Sequence, residues 1–300
     1  MYQEFYTTAP DYARLRQAML RLGREYPDIR VFSFGQSVLG RELYALAIGE
    51  VRGATVYLGG VHGSEWITTL LLLRFAGELL ERRKNRSAIA QIDVCRALEN
   101  RPLVIIPCLN PDGVEIALHQ RRGALELGEQ VEAICGGDYS CWQANANGVD
   151  LNHNFDAGWE LLKSMELEQG IHRPSKGKYG GEAPHSQPES AAIVNFCTDF
   201  EVRSLYTFHA QGEEIYYKYG PHTPLRSQLM AQVLASSCGY EVRTPTGTAS
   251  HGGLKDWFIQ EFGRPGFTIE VGRGQNPLPI DQLEPIYRRL REMLMLGIII

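Results

Sequence analysis

The chain has 300 residues, of which 44% are hydrophobic and 22% charged, and its formal net charge is −5 at pH 7. This composition is typical of a soluble globular protein, and the length is sufficient to bury a full core. The negative charge argues against a nucleic-acid partner, because no basic surface is needed to explain the sequence. No apolar run approaches the roughly 18 residues of a membrane-spanning helix, so we expect no membrane partner either.

The N-terminal residues Met1 to Phe5 have neither the basic start nor the apolar stretch of a secretory signal. Six cysteines are scattered along the chain without zinc-finger spacing, and three of them lie in or beside apolar runs, where free thiols are common. Cys135 and Cys141 could close a small loop in an oxidising compartment. We predict six reduced thiols and a cytoplasmic location.

Apolar periodicity predicts helices and strands that alternate along the chain. Helices are predicted over residues 11–26, 65–83, 186–199, 224–238, 254–262 and 279–296. Strands are predicted over residues 30–37, 41–48, 54–58, 103–107, 203–209, 214–218 and 266–271. The third helix shows a capping box, in which Ser186 pairs with Glu189, and carries Pro188 in its first turn.

Alternating elements with continuously apolar strands indicate an α/β fold. We predict a single domain over residues 1–300, with a mixed, mostly parallel twisted sheet and helices on both faces. Residues 110–186 are the exception, because their periodicity is weak and they are rich in Gly, Asn and His. Long segments of this kind are often functional, so we expect the working surface to combine this segment with the strand ends.

A histidine and a glutamate follow the predicted strand 54–58. His62 and Glu65 come after Gly59-Gly60 and precede an apolar helix, so both are expected at the carboxyl end of the strand, where open α/β sheets bind ligands. Imidazole and carboxylate are ligand types of catalytic zinc. Taken alone, the pair also fits a helix cap beside a hydrogen-bonded histidine.

Two further strands carry polar residues of the same kind. His209 is the last residue of one strand, and Glu270 interrupts an apolar strand near its end. A buried carboxylate needs a cation, a metal-bound water or a hydrogen-bonding pocket. His62, Glu65 and His209 therefore supply the His2Glu set of a hydrolytic zinc site, and Glu270 supplies a general base.

Six motifs in order resemble the zinc carboxypeptidase family typified by pancreatic carboxypeptidases A and B. They are H-x-x-E at residues 62–65, N-P-D-G at 110–113, G-V-D-x-N-x-N-F at 148–155, a strand-end histidine at 209, a segment similar to S-x-G-G-x-x-D-W at 250–257, and F-T-x-E at 267–270. The resemblance covers nearly the whole chain. It implies one zinc ion per chain, a peptide substrate, and a carboxypeptidase-like fold.

By position, the resemblance assigns the three zinc ligands and the base already named. It implies that Asp150 accepts a hydrogen bond from His62 and fixes its tautomer, although Asp150 alone would also fit an ordinary Asx turn. Asn152 is expected to contact the carboxylate region of the substrate, and Gln211, two residues after the third ligand, is a further candidate for substrate binding.

Three departures from the family pattern bear on the substrate. His153 stands where the family has a carboxylate-binding arginine, and an ordinary, mostly neutral histidine would weaken carboxylate capture. Thr248 or a neighbour replaces the expected tyrosine. The arginine that polarises the scissile carbonyl has no clear counterpart, and Arg121 and Arg122 are the nearest candidates.

Lys255 occupies the position that sets side-chain specificity in the family, and a cation there would favour an acidic group. The alternative is a solvated helix lysine. The segment from His209 to Tyr217 resembles the bacterial branch that cleaves γ-D-glutamyl-meso-diaminopimelate bonds in cell-wall peptides, which makes a muropeptide the expected substrate. A conventional metallocarboxypeptidase and a non-catalytic peptide-binding protein are the alternatives.

Overall fold

The computed structural model describes residues 6–300, apart from the side chains of Ala249 and Ser250. The N-terminal residues on which the absence of a secretory signal was predicted lie outside this range. The strands are Arg30–Gln36 (β1), Glu42–Ile48 (β2), Thr55–Leu58 (β3), Ala88–Ile89 (β4), Ile92–Asp93 (β5), Leu103–Ile106 (β6), Ser204–His209 (β7), Glu214–Tyr216 (β8), Glu241–Arg243 (β9) and Gly266–Glu270 (β10).

In the described part of the chain the six predicted helices are all present, together with four short helices that were not predicted. The helices are Tyr12–Glu25 (α1), Ile67–Lys84 (α2), Val94–Leu98 (α3), Pro111–His119 (α4), Gly128–Cys135 (α5), Trp159–Glu168 (α6), Pro188–Asp199 (α7), Arg226–Cys238 (α8), Leu254–Phe262 (α9) and Leu283–Ile299 (α10). Short 3-10 turns lie at Gly63–Glu65, Gln120–Leu127, Leu151–His153, Gly247–Ser250 and Ile280–Gln282. None of the described helices is long and apolar enough to cross a bilayer.

Eight strands form one sheet in the order β1-β2-β6-β3-β7-β10-β8-β9, while β4 and β5 make a separate hairpin. The centre of the sheet, from β6 through β3 and β7 to β10, is parallel. Antiparallel pairs join β1, β2 and β6 on one side and β10 to β8 on the other. The predicted mixed, mostly parallel sheet is therefore confirmed.

Side chains that alternate along the central strands pack into two apolar layers, one on each face of the sheet. Tyr206 and Phe208 of β7 face the layer built with α1, α2, α8 and α10, whereas Leu205 faces the layer built with α7 and α9. Every residue of β3, β6 and β7 is buried. Cover on both faces explains why these strands are continuously apolar in sequence.

The structure corrects two predictions about residues 110–199. The segment 110–186 contains α4, α5 and α6, which are too short to show a clear apolar stripe. The capping box is wrong as well: α7 begins at Pro188, after Gln187, without a side-chain cap. Ser186 instead accepts a hydrogen bond from Asn154, and Glu189 is buried against Asn145.

Candidate active site

The turn after β3 carries His62 and Glu65, and two glycines allow it to pack closely against its neighbours. Gly60 has φ +58°, and a Cβ there would lie 2.8 Å from the Cys108 sulfur. A Cβ on Gly63 would lie 2.2 Å from the Gly113 carbonyl oxygen at the start of α4. Glu65 therefore projects from a 3-10 turn held against α4, rather than from the first turn of α2 as predicted.

Parallel strand pairing brings His209 and Glu270 to the same edge of the sheet as His62 and Glu65. β7 lies between β3 and β10, and His209 is directly paired with Glu270. Both residues end their strands, as β3 ends just before His62. The carboxyl ends of three neighbouring parallel strands thus converge on one point, which is the usual ligand-binding edge of such a sheet.

His62, Glu65 and His209 form a buried cluster whose ligand atoms lie within 4.8 Å of one another. The Nδ1 atom of His62 is 2.9 Å from Glu65 Oε1, and the Nδ1 atom of His209 is 3.1 Å from Glu65 Oε2. Two imidazole nitrogens and a carboxylate facing one point are the donor set of a catalytic zinc with an open position. The cluster therefore fits a zinc ion.

The charges of this cluster depend on one another. Burial raises the pKa of Glu65, but His62 and His209 outweigh that effect and bring its pKa down to about 2. Burial lowers the pKa of His62, but Glu65 and Asp150 raise it well above its ordinary value. Glu65 is consequently held as a carboxylate, the form that binds metal.

Asp150 lies behind His62, where the resemblance implied it would. Its Oδ1 atom is 3.1 Å from His62 Nε2, and its two oxygens also accept hydrogen bonds from the backbone N–H groups of Asn152 and Lys178. A carboxylate at Nε2 favours the tautomer that leaves Nδ1 free to bind a metal. Asp150 precedes the Leu151–His153 turn and caps it, so it is an Asx-turn residue as well as a hydrogen-bond partner of His62.

Glu270 faces the same cavity from the end of β10. Burial raises its pKa well above the ordinary value, and the nearby carboxylates Glu65 and Glu214 raise it further, against the opposing effect of His62. A carboxyl group whose pKa is raised can both accept and return a proton near neutral pH, as a general base requires.

The cavity holds about 480 Å³ and is lined by most of the predicted residues. The lining side chains are those of His62, Glu65, Gln143, Asp150, Asn152, His153, Lys178, His209, Gln211, Tyr216, Thr248, Glu270, Gln275 and Asn276. The lining includes neither Arg121 nor Arg122. Arg121 instead pairs with Glu129 and Glu132 at the surface, so it is not the missing arginine.

His153 is buried among polar and acidic groups. It is 8% exposed, and its Nδ1 lies 3.0 Å from the Lys178 carbonyl oxygen and 3.8 Å from Glu166. Burial lowers the pKa of His153, but Asp150, Glu166 and that carbonyl together raise it above the ordinary histidine value. The acidic neighbours that raise this pKa also balance the charge of a protonated His153.

Lys255 lines an adjacent cavity of about 230 Å³, which shares Asn152, Tyr216 and Glu270 with the first. Lys255 is 4% exposed and forms an ion pair with Asp256, so the interpretation as a solvated helix lysine is wrong. Lys255 and Glu270 line the same cavity, but the charge of Lys255 is already paired.

Several residues that line the two cavities were not predicted from the sequence. Tyr216 lies opposite Thr268 in the β8–β10 pair, and its hydroxyl donates to Glu214. The Asn276 side-chain amide donates to the Ala210 carbonyl, 2.6 Å away, and lies 3.5 Å from Glu65. The glycine-rich segment after β10 is the sequence feature that could have indicated Asn276. Gln143 has no such feature beyond its position within residues 110–186.

The zinc carboxypeptidase family profile matches residues 15–293, which is most of the chain. The chain belongs to this family. The protein is accordingly a zinc metallopeptidase, and the resemblance based on the six motifs is confirmed.

Relatives of this protein are found among both sequences and solved structures. Gamma-D-glutamyl-L-diamino acid endopeptidase 1 of Lysinibacillus sphaericus is 33% identical over 291 residues, which are 96% of this chain and 72% of the relative. An uncharacterised Bacillus subtilis protein, YqgT, is 32% identical over 87% of this chain and 70% of its own length. Bovine thrombin-activatable fibrinolysis inhibitor, solved with a tick carboxypeptidase inhibitor, has a TM-score of 0.75 at 18% identity and covers 98% of this chain and 97% of its own. This structural similarity confirms the predicted carboxypeptidase-like α/β fold.

Proposed function

We propose that this metallopeptidase hydrolyses the amide bond between γ-D-glutamate and a diamino acid in bacterial cell-wall peptides. The observation that carries the proposal is the similarity to the Lysinibacillus endopeptidase over nearly the whole chain. His153 lines this cavity at the position where the family pattern has a carboxylate-binding arginine, which suits a substrate whose carboxylates are placed differently. We further propose one zinc ion per chain, held by His62, Glu65 and His209.

Zinc at this site supplies Lewis-acid polarisation of the scissile carbonyl and activation of the attacking water. The chain's own groups do the rest. The Glu270 carboxylate, at the edge of the cavity, takes the proton from the attacking water and returns it to the leaving amine. Asp150 keeps the proton of His62 on Nε2, and Asn152 with His153 faces the substrate carboxylates.

A comparison of two substrates tests the proposal. The zinc-loaded protein should cleave a synthetic L-Ala-γ-D-Glu-meso-diaminopimelate tripeptide with a higher kcat/KM than blocked C-terminal dipeptides. Cleavage of the dipeptides alone would replace the proposal with a conventional metallocarboxypeptidase. Absence of turnover on both, with zinc bound, would favour the peptide-binding protein without catalysis.

The cytoplasmic location remains a prediction from the sequence. Immunodetection in fractionated source cells tests it, and recovery of the protein outside the cytoplasmic fraction would contradict it.

A further inference from the structure

The segment that follows β10 returns to the metal cluster and is tied to the segment that follows β7. The Val271 N–H donates to the His209 carbonyl at 2.8 Å, and the Gly212 N–H donates to the Gly272 carbonyl at 2.9 Å. Leu278, which is 1% exposed, packs in the apolar layer that includes α10. Backbone hydrogen bonds and a buried leucine therefore fix the path of this segment.

Asn276 is the residue of this segment that reaches the metal cluster. Its Nδ2 atom donates to the Ala210 carbonyl oxygen at 2.6 Å and lies 3.5 Å from Glu65 Oε1. A carbonyl and a carboxylate only accept hydrogen bonds, so the nitrogen of the amide must face them and its oxygen must face away.

This orientation leaves the oxygen of the amide unpaired. The Oδ1 atom of Asn276 is buried and has no hydrogen-bond partner among residues 6–300. An unpaired buried acceptor is costly, so the oxygen does not explain why an asparagine stands at this position. What the asparagine provides is its nitrogen, placed between Ala210 and Glu65.

Ala210 connects Asn276 to the second oxygen of Glu65. Its N–H donates to Glu65 Oε2 at 3.1 Å, while its carbonyl accepts from Asn276. The same two oxygens of Glu65 face the imidazoles, Oε1 toward His62 and Oε2 toward His209. Hydrogen-bond partners outside a ligand set orient the ligands, and here one side chain contacts both a ligand and the residue directly after another ligand.

We propose that Asn276 is a positioning residue of the metal centre. Its amide holds Ala210 and Glu65 together, so that the Glu65 carboxylate keeps the orientation in which it completes the donor set with His62 and His209. This inference rests on the proposed zinc site and adds a residue to its support. It does not depend on which peptide is the substrate.

The zinc affinity of Asn276→Leu tests this role, because leucine has nearly the shape of asparagine and none of its hydrogen-bonding groups. In a chelator competition we expect zinc to bind this variant about tenfold more weakly than the parent, as when a hydrogen-bond partner of a metal ligand is removed. The visible absorption spectrum of the cobalt-substituted variant should change as well, because it reports the geometry of the ligands. A zinc affinity equal to that of the parent would overturn the inference.

A purely structural role for Asn276 gives a different result. Zinc affinity, measured where parent and variant are both folded, is a property of the folded molecule, so a loss of stability alone leaves it unchanged. Urea unfolding of the zinc-free proteins measures that loss separately. A lower unfolding free energy combined with the parent's zinc affinity and cobalt spectrum would show that Asn276 supports only the fold, against the inference.

Asn85→Leu is the matched control. It makes the same change at the exposed end of α2, about 27 Å along the helix axis from the turn that carries Glu65, and it should bind zinc as the parent does. If Asn276→Leu fails to fold, Asn276→Ala removes the same donor without an added apolar branch and should show the same weakening.

His209→Ala separates this inference from the proposed zinc site. Loss of zinc binding in His209→Ala, together with the parent's affinity in Asn276→Leu, would refute the positioning role and leave the site in place. Zinc bound by His209→Ala with the parent's stoichiometry and affinity would refute the site, and the positioning role with it.

Discussion

Glu189 is a fully buried carboxyl group whose removal should change how stability depends on pH. It lies in the first turn of α7, where its oxygens accept hydrogen bonds from the Val38 N–H and the Asn145 amide, each at 3.1 Å. Burial, and then the nearby Asp112 carboxylate, raise its pKa from 4.5 to about 7. We consider the substitution Glu189→Gln.

The expected effect follows from the difference between 4.5 and about 7. At about 1.4 kcal/mol per pKa unit, this amounts to roughly 3 kcal/mol. The folded protein holds the Glu189 proton more tightly than the unfolded chain does. The contribution to the free energy of unfolding is therefore fully present below pH 4.5, is lost as the pH rises through about 7, and stays lost above that.

Urea unfolding between pH 5 and pH 8 measures this contribution. Both proteins are kept free of zinc with a chelator, because metal binding is itself pH-dependent. The other titrating groups contribute equally to the unfolding free energies of parent and variant, so their contributions drop out of the difference between the two. We expect this difference to move by roughly 3 kcal/mol in favour of Glu189→Gln as the pH rises.

The control is Glu99→Gln, which removes one negative charge from an exposed residue after α3. It should leave the pH dependence of the parent unchanged. If Glu189→Gln shows the parent's pH dependence as well, the carboxyl group does not keep its proton in the folded state, and the reasoning fails.

Four further outcomes are expected. Glu270→Gln should lose about 10²–10⁴-fold in kcat while binding zinc with the parent's stoichiometry, and undiminished turnover would remove it from the mechanism. Asp150→Asn should weaken zinc affinity about 10–100-fold in a chelator competition, and an unchanged affinity would contradict its role at His62. Chelation should abolish turnover until zinc is restored; calcium in place of zinc should not restore it, because the donor set contains two imidazoles. Phe208→Ala should cost about 3–5 kcal/mol of unfolding free energy, and a loss under 1 kcal/mol would place Phe208 outside the core that its 1% exposure indicates.

The metal cluster was predictable because each ligand has a local signal. A continuously apolar strand followed by Gly-Gly places His62 and Glu65 at a strand end, and His209 ends a second apolar strand. Because neighbouring parallel strands have their carboxyl ends at the same edge of the sheet, the predicted parallel sheet is enough to bring these ligands together. Glu270 was predictable for the same reason, since a carboxylate at the end of an apolar strand needs a polar cavity.

The surroundings of the site were less predictable, because they depend on contacts between distant segments. His153 lies 3.8 Å from Glu166 on α6, and α6 lies in a segment whose helices were missed. Glu189 matched a capping box in spacing, but its burial against Asp112 and Asn145 turned its side chain inward. Local patterns carry no information about such partners.

The metal ligands and the smaller cavity are built largely from different parts of the fold. The ligands and the base stand at the ends of the parallel central strands, where the register of β7 and β10 aligns His209 with Glu270. The cavity with Lys255 and Asp256 combines Thr268 and Glu270 of β10 with the first turn of α9 and with β8, on the antiparallel side. Glu270 therefore belongs to both cavities. We expect a substitution in the first turn of α9 to change the second cavity without displacing a metal ligand, because none of the three ligands lies on α9.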